Sequence, residues 1–390
     1  HDAVGNARVP GAVQRTEMVE HVLSRLTFGP RPGELAAVER IGLDRWVAQQ
    51  LQPQGPVAAL TPPPRFDSQQ EARRFAREQL RAMAAAKLQR AVSAERQLEE
   101  LLVDLWFNHF NVFGGKAQAG LHLPAYEWQA IRPHVVGRFR DLLGAVAKSP
   151  AMLIYLDNRQ STVRGLNENY ARELLELHTL GADGGYTQAD VREVARVFTG
   201  WTLDRQTQAF RFAPRLHDTG TKQVLGERIA AAGMAEGERI LDRLASHPST
   251  ARTVAIRLAR RFVADDPPPG LVDRAATTFR ETGGNLHEVT RVVITSAEFT
   301  ASAGMKVKTP LEFVASALRA TGATFDSVET AARPVRLLQQ LGMPLYLCQP
   351  PTGYDDTAGA WLAAGGLVTR MNAAIAFGHP EFGLPAFQRR

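Results

Sequence analysis

Residues 167–181 read Asn-Glu-Asn-Tyr-Ala-Arg-Glu-Leu-Leu-Glu-Leu-His-Thr-Leu-Gly, with polar and apolar side chains at helical spacing. Residues three and four apart share a face of a helix. Two adjacent faces carry polar side chains, which are Glu168, Asn169, Arg172, Glu173 and Glu176. A third face, with Tyr170 and Leu174, can be buried. We predict a helix that stops at Gly181, because glycine readily takes the left-handed conformation of a helix C-cap.

A second helix is predicted directly after the first. Thr187 can cap its start, and Asp190 follows three residues later, at the spacing of a capping box. Its apolar side chains recur at helical spacing and are Val191, Val194, Ala195 and Phe198. The segment ends at Gly200-Trp201. The stretch therefore predicts two short helices, the first of which presents carboxylates on a polar face.

Helical spacing of apolar residues recurs along most of the remaining chain. Alternation of aromatic and polar residues, which is typical of strands, is clear only around Phe210 and Phe212. We predict a mainly α fold, a large multi-helix domain with one small β-hairpin near residues 207–218. A chain of 390 residues, 44% of them hydrophobic, can bury a large core, and we expect a single domain over residues 1–390.

Two segments near the amino-terminal end are expected at the surface. Residues 52–66 are rich in proline and have few regular apolar repeats, which indicates a surface crossing. Residues 68–106 begin with a strongly charged sequence and end with regularly spaced leucines. We predict a charged outer helix there that leads into the core.

Composition excludes several classes of protein. The net charge is +6, but arginines alternate with acidic residues, so we predict no nucleic-acid partner and a surface that can attract an acidic polymer. Cys348 is the single cysteine, which excludes an internal disulfide. Every apolar run is shorter than the ~18 residues of a membrane span, so no transmembrane segment is expected.

Three separate segments combine aromatic residues with acid-base side chains. His109 follows Trp106 on an apolar stripe and should face inward, either as a core residue or as a functional one. His217, Asp218 and Lys222 follow the predicted hairpin, where a turn and a functional group are equally good interpretations. The helix of residues 167–181 is the third segment.

These segments carry a resemblance to a known family. The motifs are Trp-Phe-Asn-His-Phe at 106–110, Ser-Pro-Ala-Met-Leu-Ile-Tyr-Leu-Asp-Asn at 149–158, Asn-Glu-Asn-Tyr-Ala-Arg-Glu-Leu-Leu-Glu-Leu at 167–177, Gly-Tyr-Thr-Gln-Ala-Asp-Val at 185–191, Ala-Arg-Val-Phe-Thr-Gly-Trp at 195–201, His217-Asp218 with Lys222, His-Pro-Ser-Thr-Ala at 247–251 and Lys308-Thr-Pro. The chain resembles the bacterial family catalogued as domain of unknown function 1800, from about Leu23 to Asn372.

The resemblance implies a mostly helical, exported bacterial protein, often encoded beside a sulfatase-like partner, and it implies no reaction. The chain begins at His1 without a charged and apolar leader, which fits a processed export product or a shortened chain. We expect a periplasmic or extracellular protein whose signal peptide is not part of this sequence.

Cleavage of a glycan needs a protonated acid and a second group that acts as base or nucleophile, commonly two carboxylates about 5 to 9.5 Å apart. Glu173 and Glu176, one helical turn apart, fit the short end of this range. We predict a catalytic set of His109, Glu173, Glu176, His217 and Asp218 around one cleft. Arg172 and Lys222 would tune the carboxylates, Asn169 would contact substrate, and Trp106, Tyr170 and Trp201 would offer platforms for sugar rings.

Alternatives remain at each step. The glutamates could pair with Arg172, Arg192 and Arg196 in structural networks. A metal could draw on His109, Glu173, His178, His217 and Asp218, but no closely spaced ligand motif occurs, so we predict no metal. No cofactor is predicted, because a strand followed by Gly-x-Gly-x-x-Gly is missing. The sequence thus leaves two functions open: an exported polysaccharide hydrolase or lyase, and a non-catalytic binding or assembly protein with a sulfatase-like partner.

Overall fold

Helices dominate the computed structural model, which describes residues 10–52 and 60–377. Helices make up 61% of it, and the strands form two small two-stranded sheets. The predicted mainly α fold is confirmed. No helix in these two ranges is long and apolar enough to cross a membrane.

The amino-terminal part wraps a buried helix. Its helices are α1 (Pro10–Leu26), α2 (Glu34–Ile41), α3 (Leu43–Gln50), α4 (Gln69–Ser93) and α5 (Gln97–His109). Helix α5 lies in the core, since each residue from Gln97 to Phe107 is buried. The predicted outer helix of residues 68–106 is thus two helices. Its charged first half is mostly exposed, whereas the end of α4 packs through residues such as Leu88 and Val92.

The proline-rich crossing falls partly on described residues. Residues 60–66 have no helix or strand and are mostly exposed. Residues 53–59 lie outside the described residues.

The central part is built from short helices that end in irregular turns. These are α6 (Ala117–Gly120), α7 (Leu123–Ala125), a π-helical turn (Tyr126–Ile131), a 3-10 turn (Arg132–His134), α8 (Phe139–Ala147), α9 (Pro150–Tyr155), a 3-10 turn (Asn158–Gln160), α10 (Asn169–Glu176) and α11 (Gln188–Val197). The capping box predicted for α11 is present, with reciprocal bonds between Thr187 and Asp190. Helices α10 and α11 pack against each other.

Two hairpins follow α11, where the sequence predicted one. Strands β1 (Trp201–Leu203) and β2 (Phe210–Phe212) pair antiparallel, with Trp201 opposite Phe212. After a 3-10 turn (Pro214–Leu216), strands β3 (Lys222–Val224) and β4 (Glu227–Ile229) form the second hairpin. The predicted hairpin of residues 207–218 is therefore misplaced: it contains β2 and the loop after it. The strands have three residues each, too few for clear alternation.

The carboxyl-terminal part is again helical. Its helices are α12 (Met234–Ser246), α13 (Pro248–Phe262), α14 (Pro269–Glu281), α15 (Leu286–Ile294), α16 (Ala297–Ala301), α17 (Pro310–Ala320), α18 (Val328–Gln340), α19 (Ala358–Trp361) and α20 (Ala364–Phe377). Helices α13, α14 and α15 pack on one another, while α17 and α18 pack on α4. One hydrophobic cluster runs from Val19 to Phe377.

Candidate functional site

Glu173 and Glu176 lie in the last turn of α10. The helix forms because Tyr170, Ala171 and Leu174 bury one face and leave the glutamates on the other. It ends at Glu176, one turn earlier than predicted. The chain then forms a wider turn, in which the amide of His178 donates to the carbonyl of Glu173 at 3.0 Å.

The carboxylate of Glu173 is half-buried and makes no hydrogen bond or ion pair within residues 10–52 and 60–377. Burial raises the pKa of Glu173, the charge of Glu176 raises it further, and Arg172 opposes this shift. The structural network considered for Glu173 in the sequence is therefore not formed. A carboxyl whose pKa is raised holds its proton to higher pH and is suited to act as an acid.

Glu176 has a different environment from Glu173. Its Oε2 accepts a hydrogen bond of 3.1 Å from the hydroxyl of Tyr186. Burial and the charge of Glu176 raise the pKa of Tyr186 to about 12, so this hydroxyl stays protonated and donates. Arg172 lies beside the pair but bonds to Glu168 and Gln188. Sequence reasoning missed Tyr186, although it lies within a quoted motif.

Tyr155, from another part of the chain, lies close enough to both Glu173 and Cys348 to be affected by their charges. Burial raises the pKa of Tyr155 to about 12, with contributions from both Cys348 and Glu173. The hydroxyl of Tyr155 donates to the carbonyl of Gln349 at 2.7 Å. The segment around Gln349 is thereby held against the end of α9. Its distance in sequence from α10 explains why it was not predicted as part of the site.

His109 reaches the end of α10 through His178. Its Nε2 lies 3.1 Å from the carbonyl of His178, and the two rings are 6.5 Å apart. Burial, Arg257 and His178 lower the pKa of His109, and burial lowers that of His178 to about 3. Both rings are neutral at pH 7. His109 Nδ1 and His178 Nε2 are buried without a hydrogen-bond partner among the described residues.

His217 and Lys222 belong to a second, buried group centred on Glu236. His217 Nε2 lies 3.1 Å from Glu236 Oε1, and Lys222 Nζ lies 2.6 Å from Glu236 Oε2. Burial alone would raise the pKa of Glu236, but the bonds from Lys222, the amide of Ala232 and His217 lower it. Sequence reasoning missed Glu236. Its position in the first turn of α12, three residues after Gly233, was the available signal.

Asp218 is held by Arg196 rather than facing Glu173. Arg196 donates to both of its carboxylate oxygens, at 2.8 and 3.1 Å. This arginine holds the pKa of Asp218 below its usual range. The contacts of His217, Asp218 and Lys222 thus join α11, β3 and α12. The sequence predicted one shared cleft with Lys222 beside Glu173. These contacts do not form that cleft.

The three predicted sugar platforms are interior residues. Trp106 and Trp201 are 0% exposed and Tyr170 is 1% exposed. Trp106 packs edge-on against His109, while Phe198 lies between Tyr170 and Trp201. The prediction is corrected, because a ring without accessible surface cannot stack on a sugar. Asn169, by contrast, is exposed.

Metal ligands do not cluster in the described part of the chain. Residues 10–52 and 60–377 contain no group of three or more His, Cys, Asp or Glu side chains arranged to hold an ion. His109 and His178 approach each other through the bond from the His109 ring to the carbonyl of His178. The prediction of no metal stays a prediction.

A family model described as "Protein of unknown function (DUF1800)" matches residues 21–388. The chain belongs to this family. Comparisons with curated proteins and with solved structures gave no match. In this DUF1800 chain, the motifs that carry the family resemblance include buried packing residues such as Trp106 and Trp201 as well as the half-buried Glu173 and Glu176. Membership of a family of unknown function names no reaction, so the reaction is argued from the α10 carboxylates.

Proposed function

We propose that this chain is an exported hydrolase or lyase that cleaves an extracellular or cell-surface polysaccharide, with Glu173 as its general acid. The supporting observation is the state of the Glu173 carboxylate. It is half-buried, unpaired within the described residues, and its pKa is raised by burial and by Glu176. Burying a carboxyl without a partner costs stability, so such a group is more often functional than structural.

Glu176 supplies the second carboxylate. Side chains three residues apart on a helix have Cβ atoms about 5 to 6 Å apart, close to the carboxyl separation of about 5 to 5.5 Å in retaining glycosidases. The bond from Tyr186 fixes one oxygen of Glu176 and leaves the other for substrate or water. The two carboxyls thus differ in environment, as an acid and a nucleophile must.

In hydrolysis, Glu173 gives its proton to the leaving glycosidic oxygen while Glu176 attacks the sugar or accepts a proton from the attacking water. Water is added across the bond, and both new ends are saturated. In elimination, the base removes a proton from the carbon next to a sugar carboxylate and the leaving oxygen takes the proton of Glu173. That route leaves a carbon–carbon double bond in one product.

The test is a panel of acidic and neutral polysaccharides, with products identified by mass spectrometry. The wild type should cleave a member of the panel, and Glu173→Gln and Glu176→Gln should each lose about 100-fold or more in turnover. Glu168→Gln is the matched control, because Glu168 lies on the same segment and pairs with Arg172 and Gln188. Equal loss in all three variants, or retention of turnover in Glu173→Gln, would refute the assignment.

A second candidate is a non-catalytic exported protein that binds or assembles with a sulfatase-like partner. It is favoured by the internal pairing of His217, Asp218 and Lys222, which removes two predicted catalytic groups and one predicted tuning group from a cleft. Under this function no polysaccharide is cut. A purified sulfatase-like protein would then bind the wild type and Glu173→Gln equally.

A further inference from the structure

A cavity of about 870 Å³ lies apart from the predicted site residues. The proline-rich segment from Pro62 and the start of α4 form one wall. Gln118, His122 and the end of α9 form another, and the turn between β1 and β2 forms the third. Ligand sites in proteins are typically cavities of about 300 to 1,000 Å³, so this one can hold several sugar rings.

His122 is the buried polar group of this cavity. It is 6% exposed and lines the cavity, and its ring has no hydrogen-bond partner in the described ranges 10–52 and 60–377. Burial and the charge of Arg159 lower the pKa of His122 to about 4, so the ring is neutral at pH 7. A neutral imidazole has one donor and one acceptor nitrogen. A hydroxyl of a ligand in the cavity can therefore donate to one ring nitrogen or accept from the other.

The cavity has an excess of positive charge. Arg65, Arg159 and Arg205 line it, and the acidic side chain among its lining residues is Asp67. Arg65 donates to the carbonyl of Gln206 at 3.1 Å and thereby links the proline-rich segment to the β1–β2 turn. Arg205 is exposed, and its guanidinium makes no hydrogen bond or ion pair within the described residues.

Arg159 is held in place but keeps a donor free. Its Nη2 donates to Gln118 Oε1, while its Nη1 makes no hydrogen bond in the described part of the chain. A guanidinium with a free N–H group is a strong donor to a carboxylate. Arg159 and Arg205 therefore supply two cationic groups, and either can bind an acid group of a ligand.

The remaining lining groups suit a sugar. Gln118, Gln206 and Gln208 each carry an amide that both donates and accepts, as sugar hydroxyls do. Phe66 is partly exposed and presents an aromatic ring to the same space. The ring face of Phe66 and the three amides suit a polyhydroxylated ligand better than a small inorganic anion.

We propose that the His122 cavity binds an oligosaccharide that carries carboxylate groups, with Arg159 and Arg205 contacting the acid groups and His122 a hydroxyl. The choice of a sugar acid rests on the proposed function. The end of α9 connects this cavity with the α10 carboxylates. Ile154 lines the cavity, and the charge of Glu173 raises the pKa of the next residue, Tyr155. The cavity is thus a further subsite for the polymer, one residue along α9 from the side chain that the charge of Glu173 affects.

The test is isothermal titration calorimetry of the full chain with hexagalacturonate, and with cellohexaose as a neutral hexasaccharide. Hexagalacturonate should bind at least about tenfold more tightly than cellohexaose. Arg205→Gln and His122→Gln should each weaken its binding about tenfold, the loss of one good hydrogen bond. Arg215→Gln is the control, because Arg215 is exposed outside the cavity. Arg205→Gln changes an exposed side chain, so its fold is expected to be intact even if His122→Gln is less stable.

Equal binding of hexagalacturonate by the wild type and Arg205→Gln would overturn the proposal, as would no binding at all. The proposed function fails separately. In that case hexagalacturonate binds and depends on Arg205, but neither the wild type nor Glu173→Gln cleaves any polymer. If instead Glu173→Gln loses cleavage while Arg205→Gln and His122→Gln bind and cleave as the wild type does, the catalytic assignment stands and the subsite is wrong.

Discussion

At the scale of single residues, two glutamates show how the environment of a carboxyl group sets its pKa. Glu236 accepts hydrogen bonds from Lys222, His217 and backbone amides, and these bonds lower its pKa against the effect of burial. Glu173 has none of these partners, and burial raises its pKa. The first carboxylate is stabilised as an ion by the fold. The second is destabilised as an ion, which leaves it available for proton transfer.

The contrast predicts opposite effects of the same substitution on stability. A raised pKa in the folded state means that stability decreases as pH rises through the interval above the normal value of 4.5. Glu173→Gln removes that cost, so its melting temperature at pH 7 should equal or exceed that of the wild type. Glu236→Gln leaves Lys222 buried without a counter-ion and should lose about 3 to 5 kcal/mol. Thermal unfolding of both variants tests this, and a large loss in Glu173→Gln would show a structural carboxylate.

At the scale of elements, the contact between α12 and β1 depends on a glycine. A Cβ added at Gly237 would lie 2.3 Å from Cζ2 of Trp201, which is fully buried. Trp201 must therefore move when Gly237 becomes larger. The β1–β2 hairpin packs on α12 through the Trp201 ring. This contact therefore helps to hold together the buried group centred on Glu236.

Gly237→Ala should destabilise the protein by about 1 to 3 kcal/mol, because overpacking outweighs the gain of about 1 kcal/mol in helix propensity. Gly270→Ala, in the first turn of α14, is the matched control. The nearest atom to its new Cβ is in the flexible side chain of Arg274, at 3.7 Å. Urea unfolding should show a lower midpoint for the first variant and no loss for the second. Equal midpoints would mean that Trp201 has space to adjust.

Local signals explain which elements the sequence predicted. The capping box of Thr187 and Asp190 and the apolar stripe of α11 depend on near neighbours, and both were found.

The break between α4 and α5 at Ala94–Arg96 was missed, since no proline or glycine marks it. Long-range pairs were also missed. Glu236 reaches His217 from 19 residues away, and Tyr155 bonds to Gln349 across 194 residues. His122 lies in no quoted motif, so its cavity emerged only from the fold.

At the scale of the whole molecule, buried ion pairs connect elements that are far apart in sequence. Arg261 on α13 contacts Glu312 on α17 at 3.5 Å, Asp104 on α5 at 3.6 Å and Asp356 at 3.1 Å. Arg25 on α1 lies 3.9 Å from Glu312. Burial would raise the pKa of Glu312, but Arg261 and Arg25 lower it to about 2. The amino-terminal and carboxyl-terminal helices thus share one charged cluster in the interior.

This cluster predicts sensitivity to acid. The folded pKa of Glu312 lies below its normal value of 4.5, so its stabilisation is complete above pH 4.5 and is lost as pH falls toward 2. Glu312→Gln should lose about 3 to 5 kcal/mol at pH 7, because Arg25 stays buried without its carboxylate partner and Arg261 keeps only Asp104 and Asp356. The variant should also show a weaker dependence of unfolding free energy on pH in this interval. Parallel curves for the two proteins, measured with denaturant from pH 3 to pH 7, would contradict the role of Glu312.

The most direct measurement for the catalytic assignment is the pH dependence of kcat/KM on the polysaccharide that the wild type cleaves. Under the proposed function Glu173 acts as a protonated acid, so kcat/KM should fall as pH rises through its pKa, which lies above the normal value of 4.5. The residual activity of Glu173→Gln should lack this decline, while Glu168→Gln should keep it. A decline that persists unchanged in Glu173→Gln would contradict the central claim that this carboxyl donates the proton.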